Sequence, residues 1–184
     1  MIVEQNVPLQ AHNSFGIVAK ARALVRVRSE ADVQQLLRDP RHGDEPKFVL
    51  GGGSNIVLTG DVKPLVLKVE VMGKRVVSDT PRATILEGGA GENWHEFVTW
   101  TVEQGFAGLE NLALIPGTVG ATPVQNVGAY GVELQDRFES LDAIDLHTGQ
   151  PTGLPATEPV PVFPLEVRDG DIYVTLEPIN GVKR

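Results

Sequence analysis

The spacing of apolar residues changes several times along this chain, and each change predicts an element. Leu24 to Val27 is a short β-prone run. From Ser29 the period lengthens to that of a helix. Ser29 is its N-cap, Asp32 the acidic capping-box partner, and Val33, Leu36 and Leu37 its apolar face. Asp39-Pro40 ends it. Lys47 to Leu50 reads as a strand that runs straight into Gly51-Gly52-Gly53-Ser54-Asn55. Further strands are predicted at Leu65 to Val69, Lys74 to Val77 and Ala83 to Glu87.

A second helix opens at Asn93, with Glu96 at its third position. Trp94, Phe97, Val98, Thr101 and Val102 follow the helical period, and Gln104-Gly105 closes it. Leu109, Leu112 and Ala113 predict a short third helix before Pro116. Arg137 to Leu146 reads as a strand, followed by a turn at Thr148-Gly149. Five of the 13 prolines lie between Pro151 and Pro164, which predicts a loop or linker because proline has no N–H to give a sheet. Leu165 to Arg168 and Asp171 to Leu176 flank Asp169-Gly170, a two-residue hairpin signal. One strand–helix unit followed by many strands with inserted helices favours α+β over a doubly wound sheet. No internal repeat is visible.

The length of 184 residues suits one compact domain or two small lobes sharing a core. A net charge of -8 gives nucleic-acid binding no electrostatic support. An anionic ligand must therefore be held by local dipoles. The absence of cysteine excludes disulfides, thiolate metal sites and cysteine nucleophiles. The four histidines are scattered without metal-ligand spacing, so no metal site is expected. Neither a signal-like start nor a run of membrane-spanning length is seen, and a cytoplasmic protein is expected. Trp94 and Trp100 read as packing residues, His95 as a helix-face histidine, and Asp136 beside Arg137 as a local ion pair.

Glycine sharpens the picture. Fourteen of the 20 glycines lie between Gly51 and Gly131. A glycine-rich turn at a strand end can aim successive N–H groups inward and form a concave anion site. Ser54 and Asn55 add side-chain donors. No Gly-Lys-Ser/Thr follows and no helix is predicted after it, so this is neither a Walker loop nor a dinucleotide fingerprint. A tight structural turn is the competing reading. The second glycine-rich segment, Gly108 to Gly131, combines small residues and two prolines, which let backbone approach a flat ligand. Gln125 and Asn126 offer the amides that a heterocycle edge needs. The alternative is a buried irregular connection, uncommon because its backbone polar groups must be satisfied.

These segments carry a family resemblance. Gly91-Glu92-Asn93-Trp94, Gly108-Leu109-Glu110-Asn111-Leu112, Ile115-Pro116-Gly117 and Gln125-Asn126-Val127-Gly128-Ala129-Tyr130-Gly131 resemble the flavin-binding signature of the UDP-N-acetylenolpyruvoylglucosamine reductase family. Asn13-Ser14-Phe15-Gly16 and the Gly51-to-Asn55 loop match as well, in the family's order, over roughly residues 5 to 150. The resemblance implies a fold of the vanillyl-alcohol-oxidase type, with noncovalent FAD between two small α+β lobes, residues 1–70 and 71–184. It implies pyrophosphate binding by Gly52, Gly53, Ser54 and Asn55, with Ile56 alongside. Pro116, Gly117, Thr118, Val119, Gly120, Ala121 and Thr122 would line the diphosphate, ribityl and ring region. Gln125, Asn126, Gly128, Ala129, Tyr130 and Gly131 would wall the isoalloxazine, and Ile172 would touch the flavin. The family reaction passes hydride from NADPH through flavin to an enolpyruvyl UDP-sugar.

The family's substrate domain, with its proton donor, has no counterpart in this sequence. The resemblance therefore implies a truncated or engineered flavin module, or alternatively a fragment or a reductase completed by a partner. Arg168-Asp169 echoes a catalytic arginine segment of the family, whereas the hairpin pattern reads Arg168 as a solvated strand residue.

Overall fold

The protein is described here by a computed structural model covering residues 1–155, 165–168 and 171–174. It is an α+β fold. Strand β1 (Val3–Pro8) pairs antiparallel with β2 (Lys20–Val27). Helix α1 (Glu30–Leu37) follows, then β3 (Lys47–Leu50) and β4 (Leu65–Val69). Both β2 and β3 pair parallel with β4, giving a four-stranded sheet in the order β1-β2-β4-β3. Leu65, Val66 and Leu67 of β4 are all buried, as expected for a central parallel strand covered on both faces. One face packs with Leu9, Leu24, Leu50 and Leu58, and the other against Val33 and Leu36 of α1. Ser29 caps α1 by accepting from the Asp32 N–H, while the Asp32 carboxylate accepts from the Arg28 N–H.

A hairpin of β5 (Lys74–Asp79) and β6 (Thr84–Gly88) leads to α2 (Trp94–Glu103). Asn93 caps α2 through the Glu96 N–H. Trp94, Phe97 and Val98 form a further core with Leu112 and Leu134, and Trp100 stacks at 5.7 Å from Phe97. Both tryptophans thus pack as expected. Beyond α2 the chain is irregular: a 3₁₀ turn at Glu110–Leu112, the four-residue α3 (Thr122–Gln125), and a hairpin of β7 (Gly128–Ala129) and β8 (Val132–Glu133). Strand β9 (Ser140–Ile144) pairs antiparallel with β10 (Pro151–Pro155), and β11 (Leu165–Arg168) with β12 (Asp171–Val174). Among the described residues, no helix is long and apolar enough to cross a membrane.

Several expectations need correction. Pro151 to Pro155 is an edge strand, not loop. Its two prolines are four residues apart, at one phase of the ladder, where a missing N–H can face away from β9. The third helix tightens to a single 3₁₀ turn, because Pro116 and the glycines around it deny it length. The strand predicted from Arg137 begins only at Ser140, after a 3₁₀ turn at Leu134–Asp136. Asp136 and Arg137 are not ion-paired. The Asp136 carboxylate accepts from the Glu133 N–H, and the Arg137 guanidinium donates to the Gly108 and Asp136 carbonyls. Strand β1 gave no usable signal, since Asn6 and Gln5 break its alternation. The β11–β12 pairing matches the predicted hairpin, but its turn and residues 175–176 lie outside the described residues.

Candidate functional site

The carboxyl ends of parallel strands are where open α/β sheets present loops to ligands. Here β3 ends at Leu50, and the glycine loop Gly51 to Asn55 begins at the sheet's edge. Gly53 has φ +67, and a Cβ there would lie 2.0 Å from the His12 carbonyl oxygen, so only glycine fits. The neighbouring Asn13-Ser14-Phe15-Gly16 turn is held by the buried Asn13 side chain. Its Nδ2 donates to the Leu9 and Ile17 carbonyls, and its Oδ1 accepts from the Ile17 N–H. The Ser14 N–H in turn donates to the Gly53 carbonyl at 3.0 Å.

The two glycine-rich segments meet. A Cβ on Gly52 would stand 3.3 Å from the Gly117 Cα, and the Ser54 hydroxyl donates to the Pro116 carbonyl at 3.2 Å. Across this junction the N–H groups of Gly52, Gly53, Ser54 and Asn55 donate to no acceptor among the described residues. Gly117 and Thr118 add two more such N–H groups. Gly53 is buried, so leaving its N–H unmet is costly unless a ligand oxygen meets it. Successive unmet N–H groups of this kind are donors that the oxygens of a diphosphate could meet.

The second segment is strapped to the loop before α2. The Trp94 N–H donates to the Gly117 carbonyl, Val119 to Glu92, and Gly120 to Ala90. A Cβ on Gly120 would lie 2.6 Å from that of Ala90, so the close approach requires glycine. The buried Glu92 carboxylate accepts from the Gly73 N–H at 2.7 Å and pairs with Lys74 at 3.6 Å. His95 Nδ1 accepts from the N–H of Leu114, which sits at φ +63. That assigns the helix-face histidine a job: holding a strained residue.

The predicted site residues divide by where they point. Gly52, Asn55, Pro116, Gly120, Gln125, Gly128, Tyr130 and Gly131 are exposed. Ile56 packs against the sheet core, and Val119 and Ala129 against the Trp94 core. Thr122 is buried, with its hydroxyl donating to the Val119 carbonyl. Ala121 donates its N–H to the Thr118 carbonyl. Asn126, at φ +42, spends its amide internally: Nδ2 donates to Glu133 and Oδ1 accepts from the Gln135 N–H. Gln125 has no side-chain partner among the described residues. Tyr130 and Gly131, both at positive φ, form the two-residue turn of the β7–β8 hairpin. A recess of about 570 Å³ is walled by Asn126, Gly128, Gly131 and Gln135. Arg168 and Ile172 lie on the β11–β12 hairpin, paired in register with Asp171 and Val167, and among the described residues this hairpin joins no other sheet.

Lys68 has no place in the sequence reading, where Glu92 stands only within a motif and His12 only as a scattered histidine. Lys68 had a signal, as the one charged residue within the strand Leu65 to Val69. Its ammonium donates to the Gly51 carbonyl.

The family described as FAD binding domain matches residues 21–152. The UDP-N-acetylenolpyruvoylglucosamine reductase of Paraburkholderia xenovorans strain LB400 is 57% identical over 142 residues, 77% of this chain and 41% of that protein. The enzyme of the same name from Azoarcus sp. strain BH72 is 59% identical over 142 residues, 75% of this chain and 41% of that protein. The crystal structure of UDP-N-acetylenolpyruvylglucosamine reductase from Thermus caldophilus superposes with a TM-score of 0.66 at 25% identity. It covers 84% of this chain and 53% of that one. The chain thus spans about 41% of the length of the curated relatives it matches.

Proposed function

The chain belongs to the FAD binding domain family, and we propose that it is the flavin-holding part of a UDP-N-acetylenolpyruvoylglucosamine reductase, carrying FAD noncovalently. The observation that carries this reading is the run of N–H groups from Gly52 to Asn55 that have no partner among the described residues, with those of Gly117 and Thr118 nearby. A diphosphate supplies acceptor oxygens for such a run. In a chain of net charge -8, fixed dipoles rather than overall charge must provide the attraction.

FAD, when bound, supplies hydride acceptance and hydride donation. The protein's own contribution is binding, orientation and exclusion of water. Ser54 fastens the two loops together, and Gly117 and Gly52 bring their backbones close. The exposed Gln125 amide would be available to a ring edge, and Asn126 holds the adjacent turn through Glu133 and Gln135.

The wider activity in this reading is NADPH-dependent reduction of an enolpyruvyl UDP-sugar for peptidoglycan synthesis in the cytoplasm. Residues 1–70 act as one lobe and 71–184 as the other. The proton donor and the substrate contacts belong to the portion of the relatives that this chain does not match. The match spans 41% of those relatives, and the second reading is that the chain is a fragment of the active reductase or is completed by a partner.

The test is direct. The purified chain is mixed with FAD, gel-filtered and scanned for flavin absorbance. Retained, protein-bound absorbance is expected, and a colourless protein overturns the reading. Anaerobic bleaching by NADPH, with turnover of the enolpyruvyl sugar only after the missing portion of a relative is added, separates a binding module from a partner-completed enzyme.

A further inference from the structure

The sheet end beneath the glycine loop carries an unusual distribution of charge. Glu70 is held by two arginines: Arg26 Nη1 at 2.5 Å and Arg28 Nε at 3.3 Å. Arg26 also donates to Glu4 at 2.9 Å. Both carboxylates of this cluster are therefore engaged. Lys68 on β4, paired in register with Arg26 of β2, is half-buried and has no salt-bridge partner among the described residues. Its ammonium reaches over the end of β3 to the Gly51 carbonyl, the first residue of the loop whose next four N–H groups are unpaired.

A half-buried cation without a counterion is costly unless something compensates it. Burial lowers the Lys68 pKa, Glu70 opposes this in part, and Arg26 adds a smaller lowering, which fits a charge not yet fully compensated. We propose that Lys68 is the positioning residue of the anion nest. It pins the Gly51 carbonyl away from the ligand, so that the N–H groups of Gly52 to Asn55 face outward. Its charge acts from behind the loop as the counterion of the incoming diphosphate. The proposal rests on the FAD reading above. It adds that the nest's affinity for the diphosphate depends on a lysine that does not itself line the nest.

The experiment uses the full chain stripped of flavin and titrated with FAD, ADP and riboflavin, the last having no phosphate. Lys68→Gln weakens FAD and ADP by about tenfold or more and leaves riboflavin unchanged. Lys68→Arg restores FAD affinity to within about threefold of wild type, since it keeps the charge. Equal FAD affinity in wild type and Lys68→Gln overturns the proposal while leaving the FAD reading standing. Equal losses for FAD and riboflavin also overturn it, because the lysine then merely shapes the loop. A wild-type chain that binds neither FAD nor ADP overturns both. If Lys68→Gln fails to melt cooperatively, Lys68→Met, which keeps the aliphatic stem, decides. If neither folds, Lys68 is a folding residue and the proposal falls.

Discussion

In the four-stranded sheet, Leu24, Leu65 and Val66 are fully buried, and the ladder satisfies the backbone. Between Phe106 and Glu139 regular structure shrinks to one four-residue helix, two two-residue strands and three 3₁₀ turns. There polar side chains do what a ladder does elsewhere. Trp94 Nε1 holds the Leu112 carbonyl at 2.7 Å, His95 holds the Leu114 N–H, and Asn126 holds Glu133 and Gln135. The wall also stores strain: Leu114, Asn126 and Tyr130 are three of the four described non-glycine residues at positive φ. The contrast shows how a ligand surface is made from backbone. A sheet consumes its own N–H groups and leaves donors free only at its ends. A wall of turns keeps donors available along its length and needs side chains to hold it open. Damage to the sheet should therefore appear as lost stability, and damage to the wall as lost affinity.

The largest effect is expected where the two regions meet. Gly53→Ala places a Cβ against the His12 carbonyl at positive φ. A loss of about 4 kcal/mol or more in stability or flavin binding is expected, read as absorbance retained after gel filtration. A variant that keeps its flavin would show that the loop can be displaced without harm. Next is Leu65→Ala in the central strand, fully buried in wild type. It should cost about 3 kcal/mol and lower Tm by roughly 6–12 °C. Flavin affinity of the folded fraction, measured well below Tm, should not change. A large affinity loss would erase the distinction between the regions.

Much of this arrangement is legible in the sequence because local chemistry and tertiary structure agree. Ser29 and Asn93 cap the helices they were expected to cap, and the Gly51-to-Asn55 loop follows its strand. The contact between the loop and Pro116-Gly117 is not legible, since 62 residues separate Ser54 from its partner. Strand β10 is not legible because its prolines read as loop unless the strand lies at an edge, and among the described residues it has β9 as its single neighbour, which the sequence does not reveal. Asn126 reads as a ligand by residue type, but its αL backbone turns the amide toward Glu133 and Gln135. Residue chemistry names a donor, while only geometry says where it is spent.

A smaller effect is expected from Glu92→Gln in the loop that straps the wall to α2. The neutral amide keeps an acceptor for the Gly73 N–H but gives up the charge facing Lys74. About 1–2 kcal/mol is at stake. More of it should appear in FAD affinity than in Tm, because the Glu92 side chain ties Gly73 and Lys74 to the loop whose Ala90 and Glu92 carbonyls hold the N–H groups of Gly120 and Val119. A Tm change without an affinity change would place Glu92 with the sheet.

The smallest effect separates the two regions by pH. His12 has its pKa below the ordinary 6.5, first because it is partly buried and then because Lys68 and Arg26 are near; Glu70 and Glu4 oppose this. The folded chain therefore binds this proton less readily than the unfolded chain. Its stabilising contribution is complete above pH 6.5 and shrinks as pH falls through 6.5 toward the lower folded value. In the wall, Glu110 is held below its ordinary 4.5, chiefly by the Gly108 N–H. Its contribution is present above 4.5 and declines only as pH falls below that value. Mild acid should thus lower Tm slightly through the sheet end while the Glu110 turn is unaffected. His12→Gln should flatten the Tm profile between about pH 7 and pH 5 and leave the steeper fall in stronger acid intact. If the His12→Gln profile keeps the wild-type slope in that window, the imidazole does not respond to the cations beneath the glycine loop, and the sheet end is electrostatically separate from the nest it supports.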